Sequence, residues 1–184
     1  MAIYAYGNRI PKIDPTAYVF PSADVIGKVT IGAKCFIGAG AILRGDYGEI
    51  VVGDGSAIEE NVTVHARVGS KCEIGKNVTV GHAAMLHTCT IRDGAVIGMK
   101  STVSDYAEVG ENAIVAEGAV VISKTKVEPN SIVAGVPAKD IGKKVSESQA
   151  AFWKEAKKIY QQLAIDYPTK LRKLDDKDFK VPPP

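Results

Sequence analysis

An aliphatic residue recurs at every sixth position over most of the chain, often followed by glycine or another small residue. This period fits neither the 3.6-residue repeat of a helix nor a strand continued indefinitely. It predicts a short strand and a turn, repeated many times, with the aliphatic side chain directed inwards at each repeat. The aliphatic positions are Ile13, Val19, Val25, Ile31, Ile37, Leu43, Val52, Ile58, Val64, Ile74, Val80, Leu86, Ile91, Ile97, Val103, Val109, Val115, Val121, Val127 and Val133.

Three such segments close one triangular coil of about 18 residues, and stacked coils make a parallel β-helix. The twenty aliphatic positions predict between six and seven coils. Neighbouring coils should lie about 4.8 Å apart, which is the usual distance between strands of one sheet. The pattern therefore predicts an all-β solenoid. A β-sandwich with evenly spaced strands is the alternative, and the constant phase of the aliphatic residues disfavours it.

The period ends after Val136-Pro137, and a helical pattern replaces it. The segment Ser146-Glu147-Ser148-Gln149 has the spacing of a capping box, which predicts that a helix begins near Ser146. Apolar residues then recur at the spacing of one helix face. These residues are Phe152, Trp153, Ala156, Ile159, Tyr160 and Leu163.

We therefore expect two parts in the chain. Residues 1–140 should form the β-helix that carries the functional site, and residues 141–184 a C-terminal α-helix and a tail. The helix is expected to pack along the flank of the coils or across a subunit boundary. The last residues, Val181-Pro182-Pro183-Pro184, are expected to be frayed.

Composition and charge narrow the function only a little. The chain has 184 residues, 46% of them hydrophobic, and a formal net charge of +2. No strong field favours nucleic acid or an anionic membrane, and no apolar run approaches the roughly 20 residues of a membrane-spanning helix. The first residues lack the pattern of a signal peptide. The three scattered cysteines are expected to be reduced. We therefore expect a cytoplasmic protein that binds neither nucleic acid nor membranes.

The period breaks twice in the middle of the chain. The step from Leu43 to Val52 is nine residues, and the step from Val64 to Ile74 is ten. These steps correspond to insertions of three and four residues. Insertions in solenoid proteins loop outwards without disturbing the stack, and they commonly mark the functional edge.

Counting in repeats places the polar residues near these breaks on two edges. Arg44, His65 and His87 each follow their aliphatic residue by one position, in repeats one full coil apart. Glu60 and His82 each follow theirs by two positions, so they stack on a second edge. A single chain therefore presents two neighbouring histidines on one edge and keeps the third out of reach.

A three-fold assembly would bring these two edges together between neighbouring subunits. His65 and His87 of one subunit would then meet His82 of the next, and Arg44 would lie beside Glu60 of that neighbour. Three neutral imidazoles with one open position are the ligands of a catalytic zinc site. We therefore predict a homotrimer with intersubunit metal sites, with zinc as the expected metal and iron or cobalt also compatible with the ligands.

These motifs resemble those of the γ-class carbonic anhydrases, in the hexapeptide-repeat group of proteins. The chain has Arg44-Gly45-Asp46, then Glu59-Glu60 with His65 five residues beyond Glu60. It then has Gly81-His82, with His87 five residues beyond His82. The similarity extends over nearly the whole chain.

The resemblance implies a left-handed β-helix and an enzyme, a carbonate dehydratase of the lyase class. Its reaction would be the reversible hydration of carbon dioxide to bicarbonate by metal-activated water at subunit interfaces. The implied metal ligands are His65, His82 and His87. The other implied site residues are Arg44, Asp46, Glu59 and Glu60.

Two positions depart from the pattern of that family, and two other functions remain open. The family has Gln-Asp where this chain has Glu59-Glu60, and Tyr47 stands in place of a glutamate associated with proton shuttling. Glu59 is the candidate first carrier of the released proton. Asp46 has a simpler alternative role as a turn residue. The alternative functions are a CoA-dependent hexapeptide-repeat acyltransferase, with a histidine as general base, and a non-catalytic metal-binding trimer.

Overall fold

Short parallel strands form the predicted coils in the computed structural model of the chain, which describes residues 2–175. The strands are β1 Ala2–Tyr4, β2 Lys12–Ile13, β3 Tyr18–Val19, β4 Asp24–Ile31, β5 Phe36–Ile37, β6 Ile42–Val52, β7 Ala57–Ile58, β8 Thr63–His65, β9 Lys71–Ile74, β10 Thr79–Val80, β11 Met85–His87, β12 Thr90–Ile91, β13 Val96–Ile97, β14 Thr102–Val103, β15 Glu108–Val109, β16 Ile114–Val115, β17 Val120–Val121, β18 Lys126–Val127, β19 Ser131–Ala134 and β20 Lys139–Lys144. One helix, α1, runs from Glu147 to Lys170.

The strands form the three faces of a parallel β-helix. One face belongs to an eight-stranded sheet that begins at β3 and ends at β20. The other two faces share a 12-stranded sheet, because β4 and β6 each continue around one corner. Across the coils the register follows the aliphatic positions, so that Leu43 pairs with Val64 and Val64 with Leu86. The period of six residues therefore predicts the register as well as the fold class.

The two predicted insertions are accommodated differently. The first lies within β6, which stays paired with β4 through a register shift opposite Gly27 and Val29. The expectation that this insertion loops out is therefore wrong, because the extra residues extend a strand around the corner. The second insertion, residues 66–70, does form a loop between β8 and β9.

The aliphatic residues fill the interior of the coils. Val25, Leu43, Val64 and Leu86 are each fully buried, one above the other. Burial of such side chains stabilises a fold by about 1.5–3 kcal/mol each, so the column of aliphatic residues stabilises the stack of coils. The three cysteines are also buried and unbridged, as expected.

The helix α1 begins as predicted and packs on the flank of its own chain. Ser146 is its N-cap, and Ser146 and Gln149 form both hydrogen bonds of the capping box. On the inner face of α1, Tyr160 and Ala164 pack against Phe36 of β5. The strand β20 pairs antiparallel with β19 and spans the predicted boundary between residues 140 and 141. The division of the chain into two parts stays a prediction.

The predicted apolar stripe of the helix is only partly correct. Tyr160 and Leu163 do face the β-helix. Phe152 and Ile159, however, are 64% and 61% exposed in the single chain. The packed face of the helix is rotated relative to the predicted stripe. It includes Ala164 and Tyr167, because these side chains pack against the aromatic residues of β3 and β5. The predicted fraying of Val181–Pro184 concerns residues outside the described range. Within residues 2–175, no helix is long and apolar enough to span a membrane.

Candidate metal site

Two of the three histidines stack on one edge of the β-helix, in the register that the repeat count predicts. Arg44 of β6 pairs with His65 of β8, and His65 pairs with His87 of β11. Nδ1 of His65 lies 3.1 Å from Nε2 of His87. Both side chains are largely buried, with 15% and 26% of their surface exposed. The fold of one chain therefore supplies two imidazoles that face each other.

A carboxylate holds the outer nitrogen of each of these imidazoles. Oδ1 of Asp46 lies 3.2 Å from Nε2 of His65. Oδ1 of Asp105 forms a short hydrogen bond with Nδ1 of His87. Because an ionised carboxylate only accepts hydrogen bonds, each of these outer nitrogens must carry the proton. Both facing nitrogens then present lone pairs to each other.

That arrangement suits a cation between the two rings. Two unprotonated nitrogens 3.1 Å apart repel each other unless a proton or a metal ion lies between them. Two imidazole nitrogens bound to one tetrahedral zinc ion, each at about 2.0–2.1 Å, lie about 3.3 Å apart. The distance between His65 and His87 is therefore close to the distance that such an ion requires.

The charges around the pair favour ionised carboxylates and a neutral His65. The hydrogen bond from Arg67 is the main cause that lowers the pKa of Asp105 to about 2. Burial alone would raise the pKa of Asp46, but the hydrogen bonds from Arg44 and His65 outweigh it and lower the pKa. Burial also lowers the pKa of His65. A neutral imidazole is the protonation state that a metal ligand requires.

The third histidine lies on the second edge, where two glutamates of the same chain hold it. Nε2 of His82 is 3.0 Å from Oε2 of Glu59, and Nδ1 of His82 is 2.6 Å from Oε2 of Glu60. The backbone N–H of His82 donates to Glu59 as well. Since 46% of the His82 side chain is exposed, the ring is accessible to a neighbouring subunit.

The two glutamates next to His82 differ in their surroundings. Glu59 is only 5% exposed, and this burial raises the pKa of its carboxyl group. The hydroxyl of Tyr160 from α1 and the ring of His82 partly oppose that rise in pKa. Glu60 lies nearer the surface, with 38% of its side chain exposed. Glu59 is therefore a buried carboxyl group that can take up a proton more readily than an exposed one.

One chain does not assemble all the predicted site residues. Arg44 pairs with Asp46 at 2.6 Å within the chain, so its predicted pairing with Glu60 of a neighbour stays a prediction. Among residues 2–175, no three His, Cys, Asp or Glu side chains converge on one point as metal ligands. The intersubunit ligand set of His65, His82 and His87 is therefore also a prediction.

Sequence reasoning missed three residues that contact the site. Asp105 and Arg67 form hydrogen bonds next to His87, and Tyr160 interacts with Glu59. Extending the repeat count one coil beyond His87 reaches Ser104, and Asp105 is the residue that follows it. Arg67 lies in the second insertion, and Tyr160 lies in the predicted helix stripe. No signal in their local sequence distinguishes either residue from an ordinary surface or packing residue.

The comparisons with known proteins agree with this architecture. No protein-family model matches the chain. Carnitine operon protein CaiE of Escherichia coli strain K12 is 37% identical over 163 residues, which cover 89% of this chain and 83% of CaiE. The structure of a hexapeptide transferase family protein from Anaplasma phagocytophilum matches with a TM-score of 0.86 and 34% identity, over 90% of this chain and 98% of that one. A Bacillus cereus protein with a provisional acetyltransferase name matches with a TM-score of 0.90 and 29% identity, over 92% and 98% of the two chains.

The fold and these matches define the class of the protein, which is a left-handed parallel β-helix of hexapeptide repeats. Within this class, the chain belongs to the hexapeptide-repeat family that includes carnitine operon protein CaiE. None of the three names is that of a carbonic anhydrase, and two of them are transferase names.

Proposed function

We propose that the protein is a metal-dependent enzyme that hydrates carbon dioxide at sites between the subunits of a homotrimer. The observation that carries this proposal is the facing pair of His65 and His87, 3.1 Å apart. Each imidazole of the pair has its outer nitrogen on a carboxylate. Hydrogen-bonded carboxylates of this kind orient the histidine ligands of metal sites.

The residues fit a zinc ion, with iron or cobalt as compatible alternatives. His65 and His87 would hold the ion from one subunit and His82 from the next. A bound zinc ion would supply water with a pKa lowered to about 7, as it does in carbonic anhydrase. Three histidine ligands would leave a position open for that water and for a small substrate.

The remaining residues would orient the ligands and move the proton. Asp46, held by Arg44 at 2.6 Å, fixes the ring of His65. Glu59 is the proposed first proton carrier, because burial raises its pKa above the usual value of a glutamate and it contacts His82. In the trimer, Arg44 would draw Glu60 of the neighbour away from Nδ1 of His82. That nitrogen would then be free to bind the ion.

A second candidate function is acyl transfer from a CoA thioester. The transferase names of the Anaplasma and Bacillus proteins favour it. In this case a histidine held by a carboxylate, such as His65 with Asp46 or His87 with Asp105, would act as the general base. This function needs no metal, whereas the hydration of carbon dioxide does. Loss or retention of activity after metal removal therefore separates the two.

The experiment combines metal analysis with two activity assays. Protein purified without oxygen should contain one divalent metal ion per chain and should hydrate carbon dioxide in a stopped-flow assay. Chelation should abolish this activity, and zinc should restore it. A parent protein that binds no metal, and that transfers an acetyl group from acetyl-CoA after treatment with chelator, would overturn the proposal in favour of acyl transfer.

Mixed trimers test the intersubunit position of the site. His65→Ala and His82→Ala should each lose stoichiometric metal, because two imidazoles rarely hold a divalent ion against water. Exchange of subunits between the two variants should restore one site per mixed trimer, where the intact halves meet. Arg92→Ala, which removes an exposed ion pair with Glu108, is the control and should keep full metal content. If no mixture regains metal despite proven subunit exchange, the ligands do not come from two chains.

A further inference from the structure

Two series of arginine, aspartate and histidine run side by side at the candidate site. In the first, Arg44 donates to Oδ2 of Asp46, and Oδ1 of Asp46 holds His65. The second series consists of Arg67, Asp105 and His87, and its carboxylate oxygens are shared between the arginine and the histidine in the same way. Arg67 donates to Oδ2 of Asp105, while Oδ1 of Asp105 holds Nδ1 of His87. Each aspartate thus uses one oxygen for an arginine and the other for a histidine.

The second series joins three successive coils. Arg67 lies in the loop after β8, His87 ends β11 one coil further on, and Asp105 follows β14 in the next coil. Nε and Nη2 of Arg67 lie 2.8 Å and 2.7 Å from Oδ2 of Asp105. The backbone N–H of Arg67 also donates to Oγ1 of the buried Thr88, which follows His87. The arginine is therefore fixed to the coil of His87 by its backbone and to the next coil by its side chain.

We propose that Asp105 and Arg67 are positioning residues that fix the tautomer and the orientation of His87 for metal binding. This proposal rests on the proposed metal site. Asp105 accepts the proton of Nδ1, so that Nε2 of His87 presents its lone pair towards His65. Arg67 occupies the other oxygen of Asp105 and keeps the carboxylate from turning away. Asp105 is 15% exposed, so water competes little for its oxygens.

Because one oxygen of Asp105 contacts Arg67 and the other contacts His87, the effect of Asp105→Asn on the tautomer of His87 can be predicted. Arg67 can only donate hydrogen bonds, so it will select the carbonyl oxygen of the new amide. The NH₂ group then faces Nδ1 of His87, and Nδ1 can only accept from it. The proton of His87 must move to Nε2, where it blocks the nitrogen that faces the metal. Loss of such a partner typically weakens metal binding by about ten- to hundredfold.

Removing the arginine as well should reverse part of this loss. In Arg67→Ala with Asp105→Asn, nothing selects the amide oxygen, so the amide can turn and accept from Nδ1 of His87. The double variant should therefore bind zinc more tightly than Asp105→Asn alone. Arg67→Ala by itself should weaken binding only a few-fold, because 58% of the arginine side chain is exposed. Arg67→Ala should thus weaken zinc binding in the parent protein and strengthen it in Asp105→Asn.

Two measurements test the proposal, and one of them needs no metal. Nitrogen-15 NMR of the imidazoles in metal-free protein reports which nitrogen of each of the three histidines carries the proton. His87 should carry it on Nδ1 in the parent, on Nε2 in Asp105→Asn, and again on Nδ1 in the double variant. Zinc titration against a competing chelator should rank the affinities in the matching order. The control is Arg92→Ala with Glu108→Gln, which removes an ion pair of similar geometry between adjacent coils away from the histidines.

The outcomes separate this proposal from the proposed function. If His87 keeps its proton on Nδ1 in Asp105→Asn, or if the double variant binds zinc no better than Asp105→Asn, the positioning role is overturned. If the parent binds no zinc although the NMR tautomers follow the expected order, the proposed function fails and the inferred orientation of His87 stands. Thermal unfolding and sedimentation of every variant identify any that have lost the fold or the assembly. Asp105→Glu, which keeps the charge, is then the second variant, and it should restore the Nδ1 proton.

Discussion

At the scale of single residues, burial gives the two neighbouring glutamates after β7 different properties. Glu59 is almost fully buried, and its pKa is raised mainly for that reason. Glu60 is partly exposed and bonds to the outward nitrogen of His82. The pattern of the γ-class carbonic anhydrases, which these motifs resemble, has a neutral amide at the first of these positions, whereas this chain has a buried carboxyl group there. Residue type alone does not distinguish the two glutamates, whereas their depth in the coil does.

Another buried polar residue gives a prediction about stability. Oγ1 of Thr79 in β10 is buried and has no hydrogen-bond partner among the described residues. Thr79→Val keeps the shape and removes the unpaired hydroxyl group, so it should raise the free energy of unfolding by about 1 kcal/mol. Ser101→Ala is the control. It should lower the free energy of unfolding, because the buried Ser101 hydroxyl donates to the carbonyl of Gly98. Chemical denaturation of both variants checks this, and a destabilised Thr79→Val would show that the hydroxyl group has a partner.

At the scale of the elements, close contact between successive coils positions the glutamates of the site. A Cβ atom added at Gly38 would lie 2.8 Å from the backbone nitrogen of Glu60 and 2.9 Å from the backbone carbonyl carbon of Glu59. Nothing larger than glycine fits there without moving the backbone that carries both glutamates. The stacking of β5 below β7 therefore fixes the height of the second edge.

Gly38→Ala should consequently disturb both stability and the site. Forcing a methyl group into this contact should cost about 1–3 kcal/mol, and it should lower metal occupancy by shifting Glu59 and Glu60. Gly118→Ala is the matched control, because a Cβ atom there meets no neighbour, although its φ of +66° still makes alanine strained. That control should lose only about 1 kcal/mol and keep its metal. Equal metal content in the two variants would argue against the role of this contact.

A half-buried lysine between the helix and the coils should make stability depend on pH. Lys157 of α1 donates to the carbonyl of Gly94, and burial lowers its pKa from 10.5 to about 8. Between these two values the folded chain binds fewer protons than the unfolded chain, so stability should rise as the pH rises from about 8 to 10.5. Below pH 8 the cost of burying the charged amine is present in full.

Lys157→Met should remove this rise with pH. The variant should gain no more than about 2 kcal/mol at pH 7, because solvent screening reduces the cost at a partly exposed amine. At pH 10 the difference from the parent should shrink, as the parent loses its charge. Denaturation curves at pH 7, 9 and 10 measure the effect, with the exposed Lys154→Met as control. A constant difference between Lys157→Met and the parent over this range would contradict the explanation.

At the scale of the whole molecule, the two edges of one chain carry complementary parts of one site. Arg44, His65 and His87 lie on the first edge, and Glu60 and His82 lie on the second. A three-fold axis joins unlike edges of neighbouring copies, so each interface can contain both parts. The trimer is therefore the assembly in which the predicted ligands can meet.

Arg44→Ala tests that assembly. In the predicted trimer Arg44 meets the partner subunit's Glu60 in a partly desolvated contact, so its loss leaves a buried carboxylate unpaired. This should weaken the trimer by about 3–5 kcal/mol and lower metal occupancy. Arg44→Lys should rescue only part of the loss, because a point charge does not replace the planar guanidinium group. Exchanging the charges, Arg44→Glu with Glu60→Arg, keeps the pair but also breaks the contact with Asp46 within the chain.

Sedimentation velocity over a range of concentrations measures the effect of these changes on the trimer. Arg92→Ala serves as the control for loss of an exposed arginine. If Arg44→Ala leaves the trimer within about 0.5 kcal/mol of the parent, the intersubunit pair is absent or fully solvated. The alignment of the two edges would then be wrong.

The sequence by itself determined the coil architecture, the register and the stacking of His65 on His87. Each follows from the period of six residues, because backbone hydrogen bonds between coils place residues of equal phase above one another. The capping box at Ser146 likewise fixed the start of α1, because it depends only on neighbouring residues.

Only the tertiary structure decided which side chains hold these histidines and which face of the helix is buried. The contact of Asp105 with Arg67 joins residues 38 positions apart, and it depends on the path of the loop after β8. The rotation of α1, which leaves Phe152 and Ile159 exposed, depends on the aromatic surface that it meets. Such contacts depend on rotamers and loop conformations, which a repeating pattern of hydrophobic residues does not encode. The period fixes the register of the coils, whereas the path of the inserted residues in β6 and the contacts of the side chains around the site depend on tertiary packing.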